Sequence, residues 1–223
     1  MIRLCTALLC LPGLAAAADL RAVPYDNLLH QLHRIERFDT LPSTAEPGHR
    51  IDQHWRAPGL TIGERLAGQD VQNADGFDAV TGTPAAPLRA IPGAPGQTFA
   101  IAHHAGFGSN ALFPVGPTGA EQPEGRGEGS AAFVFDAPQI AIGMRLHAEY
   151  SDPLGQRPAP GSAVLTFHDA TGQTTQITLP LTHGVLSYGW LSDVGIIGLT
   201  IQNTDPGGIA IDDILYDVIA LSG

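Results

Sequence analysis

Residues 139–150 read Gln-Ile-Ala-Ile-Gly-Met-Arg-Leu-His-Ala-Glu-Tyr. Ile140, Ile142, Met144, Leu146, Ala148 and Tyr150 fall on one side of a period of two. Ala141, Gly143, Arg145, His147 and Glu149 fall on the other. That spacing belongs to a long strand with one face in a core. The same alternation runs outward along the chain. Segment 130–136 carries Phe133 and Phe135 on one face, and 162–169 carries Ala163, Leu165 and Phe167. Segments 173–179, 184–191, 195–202 and 208–218 read as further strands. Asp152-Pro153-Leu154-Gly155, Asp169-Ala170-Thr171-Gly172 and Asp205-Pro206-Gly207-Gly208 are turn formers between them. Weaker strands are expected at 34–38, 59–66, 76–80 and 97–102. Short strands at roughly ten-residue spacing predict an all-β, two-sheet antiparallel sandwich of jelly-roll type. One short helix is expected within 24–35, where Leu28, Leu29, Leu32 and Ile35 recur behind Asp26 as N-cap.

Composition agrees with one folded unit. The 223 residues include 27 glycines and 18 prolines, and 43% are hydrophobic. The glycine and proline content stays below the roughly 25–30% of low-complexity chains, so it reads as punctuation between strands. Acidic residues number 22 against 11 basic ones, every basic one an arginine, for a net charge of −11. A nucleic-acid binder needs a basic face, so that class is excluded.

Residues 1–18 read as a secretory signal. Arg3 precedes an apolar run from Leu4 to Leu14, and Ala15-Ala16-Ala17-Ala18 offers a small-residue cleavage site. The run is shorter than the ~20 residues that span a bilayer. Removal after Ala18 takes Cys5 and Cys10 with it, leaving no thiol nucleophile, disulfide or cysteine zinc site. The expected organisation is therefore signal 1–18, N-terminal extension 19–33 and sandwich 34–223, with no transmembrane segment in a secreted or periplasmic protein.

Two distant segments carry a resemblance. FDTLP at 38–42 is followed by HWRAPGLTI at 54–62; GWLSD at 189–193 is followed by GLTIQN at 198–203 and GIAIDDI at 208–214. Together they resemble secreted bacterial jelly-roll domains of the PEP-CTERM-associated kind and, more loosely, galactose-binding-like carbohydrate-binding modules. The PEP-CTERM anchor itself is not matched. The resemblance implies adjacent early and final strands. It also implies a structural calcium there, with Asp39, Asp212 and Asp213 as its acidic ligands.

The residues themselves offer several sites. Asp212-Asp213 follows Ile209 and Ile211, so alternation turns one carboxylate inward, where it needs a cation or hydrogen bonds. Arg145, His147 and Glu149 form a polar strand face suited to a ligand. Tyr188 and Trp190 share a face and offer rings for a sugar, with core packing as the competing use. No G-x-S-x-G elbow and no phosphate loop is present. The expected function is non-catalytic binding of carbohydrate or another extracellular surface. A polysaccharide-active enzyme centred on 145–150 and a structural matrix component are the alternatives.

Overall fold

The computed structural model of the chain describes residues 20–122, 125–148 and 158–217. The expected leader, Glu149, Tyr150 and the 152–155 turn lie outside them. In chain order the elements are β1 (Leu20–Val23), α1 (Tyr25–Leu29), β2 (Arg34–Glu36), β3 (His49–Ile51), β4 (Trp55–Ala57), β5 (Leu60–Gly63), β6 (Arg65–Leu66), β7 (Asp70–Ala74), β8 (Phe77–Thr81), β9 (Ala90–Ile91), β10 (Phe99–His104), β11 (Ser109–Pro114), β12 (Ala131–His147), β13 (Ser162–Asp169), β14 (Thr174–Pro180), β15 (Val185–Asn203) and β16 (Ala210–Tyr216).

Every pairing among them is antiparallel. One sheet runs β14-β13-β15-β12-β5-β4, and the other runs β15-β12-β16-β11-β10-β3. β1 adds to β15 and β2 adds to β16, so an early strand lies beside the final one. The all-β antiparallel sandwich read from the alternation is what the chain forms.

β12 and β15 belong to both sheets. The first part of β12 pairs with β5 and its last part with β16; the first part of β15 pairs with β1 and its last part with β13. The sequence pattern suggests two strands in each of these stretches, 130–136 with 139–150 and 184–191 with 195–202. The structure instead bends one strand at each place. In β12 the ladder slips between Val134 and Gln139 and again between Gln139 and Ala141. Such bulges bend a strand without ending it. On β15 the facing bend carries Gly195 at φ +86°, which a residue with a Cβ adopts only with strain.

The second slip also corrects the alternation. Ile140, expected in the core, is 55% exposed, while Gln139 is buried. Gln139 Nε2 donates to the carbonyls of Ala137 and Asp217, and its Oε1 accepts from the Asp217 N–H. Beyond the bulge the pattern resumes, and Ile142, Met144 and Leu146 join Phe133, Phe167 and Trp190 in the main core.

A second cluster coats the outer face of the β16-containing sheet. Tyr25 and Leu28 of α1 pack on Ala141 and Leu215. α1 is five residues long, and Pro24 occupies its N-cap; Asp26, expected as the cap, sits in the first turn. Residues 20–33, set apart as an extension in the sequence reading, thus dock on the sandwich through β1 and α1.

Candidate functional site

Trp190 is 2% exposed and packs on Phe167 with ring centroids 5.0 Å apart. It leaves no ring face for a sugar, which corrects its assignment as a platform. Tyr188 stacks on Trp190 at 5.9 Å and is half-buried at the edge of the same core. The aromatic pair is core packing because positions 188 and 190 share the inner face of β15.

The Arg145–His147 face is occupied by the protein's own groups. Arg145 donates from Nη1 to Asp213 Oδ2 at 2.9 Å and lies 5.0 Å from the centre of the Tyr25 ring. His147 is buried and packs on His104 with ring centroids 4.2 Å apart and planes tilted by 59°, with Phe107 beside both. Burial lowers the pKa of both imidazoles, that of His104 to about 4, so the pair is neutral at physiological pH. α1 covers the middle of this face, which is therefore not the open ligand surface expected; Glu149 lies outside the described residues.

The acidic residues divide by role. Asp213 sits at φ +49° and gives one carboxylate oxygen to Arg37 at 2.7 Å and the other to Arg145. Both oxygens are thus committed to guanidinium groups, which corrects its assignment as a metal ligand. Asp212 is fully buried. Its Oδ2 accepts from Ser109 Oγ at 2.5 Å, but its Oδ1 has no partner. Burial pushes its pKa up to about 7, and the neighbouring charges of Asp213 and Asp39 push the same way. Asn110 Oδ1 is also buried and unpartnered. Asp39 accepts the Asn110 N–H at 3.1 Å, while Asn110 Nδ2 ties the carbonyls of Phe38 and Leu41. Both orphan atoms are hard oxygen donors of the type calcium takes. Among the described residues, no group of three or more His, Cys, Asp or Glu side chains gathers as a metal site.

One cleft among the described residues was not anticipated. It has a volume of about 370 Å³. Asp70 and Gln72 of β7, Asp78 of β8, Glu64, Arg65 and Gln97 supply polar walls, and Val71, Ala94 and Pro117 supply apolar ones. The β7–β8 hairpin builds one side. Its two-residue turn, Asp75-Gly76, has φ of 54° and 93°, the left-handed pair that a tight hairpin needs. The hairpin is fastened by the Asp78 N–H to Glu128 O at 3.1 Å and by the Val80 N–H to Gln202 Oε1 at 2.9 Å.

Two carboxylates form the inner wall. Asp78 Oδ2 accepts from the Ser130 N–H at 2.9 Å and from Ser130 Oγ at 3.2 Å. Desolvation nevertheless raises its pKa to about 6, and the charge of Glu64 adds to the rise. Glu64 is raised as well by burial, against the pull of Arg65, which donates to it directly. Arg65 is held in turn by the carbonyls of Gln69 and Pro92. The cleft thus presents carboxylate, guanidinium and amide planes fixed by backbone contacts. Such groups give and accept hydrogen bonds in pairs, as vicinal hydroxyls do. The sequence signal was the Asp75-Gly76 dipeptide between alternating residues, which marks a hairpin.

The sequence matches no protein-family model and no curated protein. Among solved structures the chain is similar to a lysine-to-alanine mutant of the family 29 carbohydrate-binding module CBM29-2. Identity is 10%, the TM-score is 0.33, and the match covers 71% of this chain and 91% of that one. An aspartate-to-alanine mutant of CBM29-2 in complex with mannohexaose matches at 10% identity and TM-score 0.32, over 54% and 78% of the two chains. A further family 29 carbohydrate-binding module matches at 10% identity and TM-score 0.32, over 54% and 75%.

Proposed function

We propose that this chain is an exported, non-catalytic binding module that takes carbohydrate in the cleft between the β7–β8 hairpin and residues 64–65. The observation that supports it is the cleft lining, planar polar side chains alternating with Val71 and Pro117. Hydroxyls would meet the carboxylates and amides, and the C–H face of a sugar would meet the apolar groups. A glycan array on the chain from residue 19 tests it. Asp70→Ala and Gln72→Ala, both at exposed positions, are expected to weaken binding about tenfold each and to leave the melting temperature unchanged. An array without a hit, or binding indifferent to both changes, refutes the reading.

Export rests on the leader-like residues 1–18, and fractionation of the producing cell tests it. Calcium rests on the two orphan oxygens, Asp212 Oδ1 and Asn110 Oδ1. With Asp39 and nearby carbonyls they would pin β2's end to β16, using oxygen donors only. One observation favours a second reading, hydrolysis of a glycan: Asp78 holds a proton to about pH 6 beside Glu64. Release of reducing ends from a polysaccharide, abolished in Asp78→Asn, would establish that reading over the first.

A further inference from the structure

The charge pattern singles out a second cleft. Arg3 and Arg157 lie outside the described residues. Of the other nine arginines, seven are held in ion pairs. The two that pair with no carboxylate among the described residues are Arg56 and Arg89, and both line the same pocket of about 350 Å³. In a chain with twice as many acids as bases, two guanidinium groups that pair with no described carboxylate share one pocket with a single carboxylate, Asp136, and make a local positive site.

The fold explains their meeting. Arg56 on β4 lies opposite Thr61 on β5, and Thr61 lies opposite Val134 on β12. These three form one row on the outer face of the sheet, since the neighbouring Trp55–Ile62 pair faces the core. The segment ending in β9 crosses above that row. It is tied down by the Ala67 N–H to Arg89 O at 2.8 Å and by His54 Nε2 to Ala90 O at 2.8 Å. Leu88 fits because position 198 is glycine; a Cβ there would come within 2.8 Å of Leu88 Cδ1. The strap thereby sets Arg89 over the same hollow as Arg56, with Leu88, Ile91 and Val134 as apolar lining and Asp136 at the side.

We propose that this pocket binds the acidic groups of a saccharide, uronate carboxylates or sulfate esters. It is a second subsite, lined by Ala90 and Ile91 of β9 where the first cleft is lined by Arg65 of β6, and it rests on the carbohydrate reading. The guanidinium fork matches a carboxylate or sulfate edge with two parallel hydrogen bonds. Thr61 and Asp136 suit ring hydroxyls, and the apolar lining suits the C–H face. Among the described residues β4 pairs only with β5, so an acidic peptide laid along its other edge is the competing occupant, which the poly-glutamate arm below separates.

Calorimetric titrations of the chain from residue 19 decide it. The probes are an oligogalacturonate, a chondroitin sulfate oligosaccharide, cellohexaose and poly-glutamate. The expected result is that one or both acidic saccharides bind more tightly than cellohexaose and that added salt weakens them. Arg56→Ala and Arg89→Ala should each cost about tenfold. Which acidic probe wins distinguishes carboxylate from sulfate. Arg21→Ala, an exposed arginine paired with Asp193 elsewhere, should change nothing. Equal binding of neutral and acidic sugars, unaffected by the arginine variants, overturns this inference and leaves the carbohydrate reading standing. Arginine-dependent binding of poly-glutamate as tight as that of the saccharides overturns it in favour of an acidic peptide. No saccharide binding at all overturns both readings.

Discussion

Asp78 offers a sharp test of the first cleft's electrostatics. In an unfolded chain its carboxyl titrates near the ordinary aspartate value of about 3.9. In the fold, burial and the charge of Glu64 raise it to about 6. Between those values the unfolded chain is ionised while the folded one keeps its proton. The folded state then binds more protons, so stability falls as pH rises. The contribution is whole below about pH 4 and lost above about pH 6. Its size, at about 1.4 kcal/mol for each tenfold change in proton affinity, is about 3 kcal/mol. Asp78→Asn removes the charge but keeps an oxygen for the Ser130 N–H and Oγ. At pH 8 the variant should be more stable by up to about 3 kcal/mol, roughly 6–12 °C in melting temperature for a chain of this size. At pH 4 the two should coincide. Urea denaturation of both proteins from pH 4 to 8 measures the difference, in which groups not coupled to Asp78 cancel and Glu64 titrates as part of the pair. A difference that does not vary with pH, or a variant weaker at pH 8, would refute the reasoning.

Three further outcomes are expected. Calcium should raise the melting temperature of the wild type at pH 8 and a chelator should lower it, whereas Asp212→Asn should respond to neither; a melt indifferent to both reagents would dismiss the ion. Trp190→Ala should cost about 3–5 kcal/mol in urea denaturation, because it empties a closed part of the core, while the folded variant keeps its glycan affinity. His104, held neutral by burial, contributes stability above about pH 6.5 that is lost as pH falls through its folded value of about 4, so His104→Gln should flatten that acid limb in a pH series of thermal melts.

The sheet architecture was legible because alternation is a local signal. Ile142, Met144 and Leu146 point inward as their spacing says. Ile140 does not, because a bulge shifts parity by one and leaves no mark in the pattern of apolar residues. The alternation divides each of the two long strands in two for the same reason: it breaks at the bend, and only the ladder shows that pairing continues through it. Trp190 looked available because alternation gives a face and not what covers it. The Asp212-Asp213 pair was legible as a site of tension, but their division of labour was not. Asp213 adopts a left-handed backbone conformation, and arginines from distant segments, Arg37 and Arg145, claim its carboxylate. Both clefts escaped notice because they arise where loops of the first half cross the sheet, and crossing has no sequence period.

The two strands that bend from one sheet into the other bear on how the protein comes apart. In a sandwich whose sheets share no strand, either layer has its own ladder and can fray alone. Here, melting either layer strips one side of β12 and β15, and the other layer depends on those same backbones. The unfolding transition should therefore be a single cooperative step across the sandwich. The slowest-exchanging amides should lie where β12 and β15 pair with each other, protected to the global limit on both sides of the bend.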